Sequence, residues 1–92
     1  MQAAVMKVKS STVVPKLASA VFRKLKEEKE VHLLALGAGA VNQAVKALAR
    51  ANSFAAAEGY SLKITPGFTT LEVTEGDHMV EKTGIKLRVK LL

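Results

Sequence analysis

Hydrophobic and polar residues alternate along this chain with two different periods, one typical of α-helices and one typical of β-strands. Apolar residues recur at helical spacing over residues 14–28, and a second stripe of this kind begins at Val41. Residues 10–12 are Ser, Ser and Thr, which can cap the first helix. The sequence predicts two amphipathic helices, the second weakening near Asn52 and Ser53 and ending before residue 59.

The strand period appears in four further segments. They cover residues 4–9, 30–36, 60–73 and 85–91. The second segment, EVHLLAL, is nearly continuously apolar, which is typical of an interior strand buried on both faces. Pro66 and Gly67 interrupt the third, so this strand has an edge position, a bulge or a bend. The fourth alternates strictly, with one apolar face and one basic face, and Gly76 and Asp77 predict a hairpin tip before it.

The order strand, helix, strand, helix, strand, strand defines the expected fold class. It predicts a two-layer α/β domain in which both helices lie on one face of a four-stranded mixed sheet. Ninety-two residues are enough for one hydrophobic core, so residues 1–92 are expected to form a single domain.

Composition argues against most catalytic and cofactor chemistry. The chain has no cysteine, and neither His32 nor His78 stands beside an obvious cluster of carboxylates. No serine lies in a nucleophile-elbow pattern. We therefore expect a protein that is not an enzyme and has no metal or cofactor. No segment is long and apolar enough to cross a bilayer, and the N-terminus lacks a secretory pattern. We therefore expect a soluble, cytoplasmic protein that could associate with the nucleoid.

The net charge of +6 is unevenly distributed along the chain. Residues 1–50 contain nine Lys and Arg against three acidic residues, whereas residues 51–92 contain five of each sign. Such an asymmetry predicts an anionic partner, of which nucleic acid is the first candidate. A membrane surface is a minor alternative, because no basic helix carries large apolar anchors.

The segment LGAGAVNQAVKAL, residues 36–48, places two glycines between a strand and a helix. It matches a dinucleotide-binding fingerprint at the first two glycine positions, but Asn42 occupies the third, and no acid closes the next strand. Two interpretations remain open. Either Gly37 and Gly39 only allow a tight packing turn, or the helix N-terminus contacts a phosphate, with neutral donors and cations along the helix from Asn42, Gln43, Lys46 and Arg50. Spacing alone favours the packing turn.

The segment LGAGAVNQAVKALA, residues 36–49, resembles the signature of the stage V sporulation protein S family, which belongs to the Alba-like group of small nucleic-acid-binding proteins. KVKSSTVVPKLASAV resembles the first strand and helix of the family, and PGFTTLEV and KTGIKLRV resemble its last two strands. The resemblance implies an Alba-like fold with sheet order 1-2-4-3. It also implies homodimers or higher oligomers and a nucleic-acid-binding role, DNA or RNA, in gene regulation or development.

The resemblance also implies where phosphates are contacted. The regions are the loop after the first strand, the start of the second helix, and the hairpin between the last two strands. The candidate binding residues are Lys7, Lys9, Ser10, Ser11, Lys16, Gly37, Gly39, Asn42, Gln43, Lys46, Arg50 and Lys82.

The chain departs from the family pattern at two of these regions. The first loop, SSTVVP, contains no lysine, and the hairpin tip carries Glu75, Asp77 and Glu81. Because an acidic tip is unfavourable for phosphate, the two loops are expected to contact nucleic acid better than the hairpin does. The departures favour one alternative, a protein-interaction or regulatory module with this fold. A third alternative, a small phosphorylated ligand at residues 37–42, also stays open.

Overall fold

One four-stranded sheet and two helices make up the part of the chain that the computed structural model describes, residues 3–92. The elements are β1 (Ala4–Val8), α1 (Val14–Glu28), β2 (Glu30–Ala35), α2 (Ala38–Ala57), β3 (Leu62–Glu75) and β4 (His78–Leu91). The strand order is β1-β2-β4-β3, with β1 parallel to β2 and β4 antiparallel to both of its neighbours. The predicted α/β class, element order and sheet order are confirmed.

The hydrophobic core lies between the sheet and the two helices. Along β2, Val31, Leu33 and Ala35 are buried and alternate with half-buried residues, and Val89 of β4 lies beside Val31 on the same face. The prediction that β2 is an interior strand is confirmed, but the prediction that both of its faces are buried is wrong, because the helices cover only one face of the sheet. Leu25 of α1 is fully buried against them. Burial of each such aliphatic side chain stabilises the fold by about 1.5–3 kcal/mol. The apolar pattern that predicted the elements therefore also predicts which sheet face the helices cover.

Helix α2 ends before residue 59 as predicted, but it differs from the prediction at its start and in its middle. It begins at Ala38 rather than near Val41, and it continues without a break through Asn52 and Ser53 to Ala57. Ser53 does not break the helix because its hydroxyl donates a hydrogen bond to the carbonyl of Ala49 one turn earlier, 3.3 Å away.

The predicted serine and threonine cap of α1 is wrong. The residue at the N-cap is Val13, whose side chain makes no capping bond. The Thr12 hydroxyl instead accepts a hydrogen bond from the backbone N–H of Lys9 at 2.8 Å, which closes the β1–α1 loop upon itself.

The last two strands form a hairpin whose tip lies at Gly76 and Asp77 as predicted, but its second strand is about twice as long as the sequence pattern predicts. The prediction that Pro66 and Gly67 mark an edge, bulge or bend is confirmed as an edge position, since β3 is the last strand of the sheet and pairs with β4 without a bulge. Strand β4 begins at His78 rather than Ile85, and the closing pair is Glu75 with His78 around a tight turn.

Half of this hairpin projects past the rest of the sheet. Pairing between β2 and β4 ends at Ala35 and Ile85, whereas β3 and β4 continue to pair as far as the turn. We call residues 69–84 the arm. It leaves the sheet at the end where β1 and β2 also finish, and it lengthens a molecule that measures 48 × 27 × 18 Å.

Candidate nucleic-acid interface

The two predicted binding loops lie at the same end of the sheet. Because β1 and β2 are parallel neighbours with Val8 opposite Ala35, both strands end at one edge. Each strand is followed by a helix, so the N-termini of α1 and α2 also lie at this edge. We call residues 9–13 together with residues 37–43 the two-loop site.

Direct contacts join the two halves of this site. The side-chain amide of Gln43 donates a hydrogen bond to the backbone carbonyl of Thr12 at 2.9 Å. A Cβ atom on Gly39 would lie 2.9 Å from the Cβ of Ser10, closer than side chains approach one another. Glycine at residue 39 therefore allows the β1–α1 loop to pack on the first turn of α2. The structure thus places Ser10 against Gly39, and it gives Gln43 a structural contact with Thr12 that spacing did not reveal.

Gly37 determines how β2 passes into α2. Its backbone has φ 89° and ψ 158°, a region that is essentially restricted to glycine. Within residues 3–92, neither helix has a side-chain cap or an acidic residue in its first turn. First-turn N–H groups and the positive ends of both helix dipoles therefore face the edge where the loops meet, which favours an anion.

The remaining predicted residues on helices lie further along them. Lys16 is exposed in the first turn of α1. Lys46 and Arg50 are exposed on α2, where they line a shallow depression together with Val14 of α1. These three cations flank the two-loop site on its helical side, whereas Lys9 lies within the site itself.

Two further predicted residues, Lys7 and Lys82, lie away from the helical side of the two-loop site. Lys7 projects from β1 on the sheet face that is opposite the helices, which we call the outer sheet face. Lys82 lies in the arm, where its Nζ is 2.6 Å from a carboxylate oxygen of Glu75. The arm also carries Glu72, Asp77 and Glu81, so it is acidic overall.

A groove connects the two-loop site to the outer sheet face. Its volume is about 410 Å³. Its polar side consists of Lys7, Lys9, Ser10 and Ser11, and its apolar side of Leu34, Leu36, Leu71 and Val73. The last two belong to the arm, which therefore forms one wall of the groove.

The outer sheet face carries cations that were not among the binding residues predicted from the sequence. They are Lys63 of β3 and Lys86, Arg88 and Lys90 of β4, and the strict alternation of the last strand was the signal that pointed to three of them. At one end of the face, Glu30 accepts a hydrogen bond from His32 at 2.6 Å and lies 3.7 Å from the Lys90 ammonium. The His32 hydrogen bond lowers the pKa of Glu30, partial desolvation opposes this, and Lys90 lowers that pKa further.

The two histidines have carboxylate neighbours but no larger cluster. His32 contacts Glu30, and His78 at the exposed turn lies 3.1 Å from Asp77. Among the described residues, no group of three or more His, Asp or Glu side chains is arranged to hold a metal ion. Neither helix within residues 3–92 has the length and apolar character needed to cross a membrane.

The element order and the strand order define a small two-layer α/β protein. Its two-loop site lies at one edge of the sheet, and its outer sheet face is basic. The chain matches the family model of stage V sporulation protein S (SpoVS) over residues 4–91. It belongs to that family, as the resemblance of residues 36–49 predicted. The family is one of small sporulation-related proteins and is not a known family of enzymes.

Proposed function

We propose that this protein binds the phosphate backbone of nucleic acid without catalysis and with weak sequence preference, as a regulator of gene expression or development. The observation that carries the proposal is the packing of the β1–α1 loop on the first turn of α2 through Ser10 and Gly39. This packing directs two uncapped helix N-termini and Lys9 to one edge of the sheet.

Charge on the surrounding helices supports the same proposal. Phosphate groups are favourable near helix N-termini, where each such interaction contributes about 0.3–1 kcal/mol when exposed. Lys16, Lys46 and Arg50 add cations beside the site. Contacts of this type position a protein on a nucleic-acid backbone but do not identify bases, which is why weak sequence preference is expected.

A salt titration tests the proposal. Labelled duplex DNA, single-stranded DNA and RNA are titrated with the protein at several salt concentrations, and we expect affinity to fall steeply with salt for at least one of them. The variant Lys9→Gln/Lys46→Gln should reduce the salt slope by about one for each lysine that neutralises a phosphate. Arg23→Gln/Lys24→Gln is the matched control, since it also removes two positive charges, but from positions of α1 outside its buried face.

Affinity that is absent at low salt for all three nucleic acids would overturn the proposal. Equal losses in the two double variants would show that net charge, rather than the two-loop site, determines binding. Thermal unfolding of each variant checks that the fold is retained.

A second candidate function is supported by the acidic arm. The arm, residues 69–84, contains four carboxylates and one lysine, namely Glu72, Glu75, Asp77, Glu81 and Lys82. An acidic surface of this kind is complementary to a basic protein rather than to nucleic acid. Capture experiments with and without nuclease separate the two functions, because a partner that binds through the arm is retained after nucleic acid is digested.

We also propose that the protein forms homodimers or higher oligomers. The support is an exposed apolar surface on the helical side of β3, where Phe68 is 82% exposed and Ile64 and Val45 are also exposed. Leu48 and Leu62 line a groove of about 300 Å³ beside them. A second copy of the same surface would cover these side chains.

A further inference from the structure

Cations are concentrated on the outer sheet face in a regular arrangement. Lys86, Arg88 and Lys90 follow one another on this side of β4, spaced about 7 Å apart as alternate residues of a strand are. Lys7 shares the face on β1, and Lys63 shares it on β3. The acidic residue among them is Glu30, which is already engaged by His32 and Lys90.

One pair on this face is unfavourable for the isolated protein. Lys63 and Lys90 are directly opposite each other in the register of β3 and β4. Like charges in directly opposed positions destabilise a sheet. Glu30 lies 3.7 Å from the Lys90 ammonium and offsets part of this repulsion. An anion lying across the two strands would relieve the remainder, so the arrangement fits a surface that holds an anionic ligand.

The groove continues this face toward the two-loop site and changes its character. Lys7 and Lys9 form its basic rim, whereas the half-buried side chains of Leu34, Leu71 and Val73 form an apolar wall. A ligand that fits both parts has repeated negative charges along one side and apolar surface along the other. Unpaired nucleotides have these properties, because their bases are not hidden in a duplex stack.

We propose that the outer sheet face and the groove bind a single strand of nucleic acid, with its phosphates on Lys86, Arg88 and Lys7 and its bases against Leu71 and Val73. The inference rests on the proposed function and adds a second surface to it. The strand then continues from the groove to the two-loop site, where Lys9 contacts the next phosphates. A duplex would leave the apolar wall of the groove without a partner.

The test compares single-stranded DNA and RNA with a duplex of the same sequence by fluorescence anisotropy. We expect Lys86→Gln/Arg88→Gln to weaken single-strand binding about tenfold at low salt and to reduce the salt slope. The control Arg23→Gln/Lys24→Gln removes one lysine and one arginine from α1 and should have a much smaller effect. Val73→Thr keeps a β-branched side chain and should weaken single-strand binding several-fold while leaving duplex binding unchanged.

The outcomes separate this inference from the proposed function. If the unmodified protein binds no nucleic acid, both fail. If it binds and the sheet-face variant equals the α1 control, only the sheet-face site is wrong. Tighter binding of duplex than of single strand would also overturn it. Displacement of the strand by polyglutamate at equal charge would also overturn it and would assign the face to an acidic polypeptide. A sheet-face variant that changes the oligomeric state of the protein, and not its affinity for the strand, would overturn it as well.

Discussion

Gly37 shows how much of the two-loop site depends on backbone conformation. Its positive φ lies in a region that other residues rarely adopt, although open space surrounds the position where a Cβ would lie. We expect Gly37→Ala to lower the free energy of unfolding by about 1–3 kcal/mol through backbone strain alone. Urea denaturation measures the change.

Gly67→Ala is the matched control for this prediction. Gly67 also has open space around it, but it lies in extended strand conformation, where alanine is favoured over glycine. The control should therefore be neutral or slightly stabilising. Equal destabilisation by the two substitutions would contradict the assignment of strain to Gly37.

Gln43 illustrates why residue roles could not be read from spacing. The sequence placed it in the first turns of α2 as a donor to phosphate. In the folded chain its amide donates to the carbonyl of Thr12, thirty-one residues earlier. A contact of this kind depends on how two loops pack, and periodicity contains no information about it.

The arm contains an unfavourable charge pair of its own. Glu72 and Glu81 are directly opposite each other on β3 and β4. Glu81→Lys replaces this repulsion with an attraction, and we expect the arm to become more stable by about 0.2–1 kcal/mol. Hydrogen exchange of amides within residues 69–84 should slow, and Glu81→Gln, which removes only the repulsion, should give an intermediate effect. Unchanged exchange in both variants would show that the pair does not limit the stability of the arm.

The arm was also the element whose extent the sequence predicted least well. The two helices and the inner face of β2 followed from apolar periodicity, because burial on one face requires it. Residues 78–84 pair only within a two-stranded ribbon, where polar side chains are tolerated on both faces, so alternation is weak there. The strand start at His78 was missed for this reason.

At the scale of the molecule, the exposed apolar surface on β3 and α2 predicts self-association. Phe68→Ser removes its most exposed large side chain, and an isologous dimer would lose that contact twice. We expect the dissociation constant to rise about a hundredfold or more, measured by light scattering across protein concentration. Val5→Ser, which alters an exposed side chain on the outer sheet face, should leave the molecular mass unchanged. A monomer at all concentrations for the unmodified protein would overturn the prediction.

Charge is distributed in space differently from its distribution along the chain. Counted along the sequence, residues 51–92 are balanced, with five basic and five acidic side chains. In the structure these charges are separated. Four of the cations lie on the outer sheet face and most of the acids lie on the arm. The half of the chain that appeared neutral therefore provides both a basic and an acidic surface.

The sequence alone determined the element order, the covered face of the sheet and the resemblance at residues 36–49. These features depend on burial and local backbone conformation, which constrain residues that are close together in the chain. Only the tertiary structure decided that Ser10 packs on Gly39, that Lys7 lies on the outer sheet face, and that Lys63 opposes Lys90. These relations join residues far apart in the chain. They depend on sheet order and register, which fix which side chains share a surface.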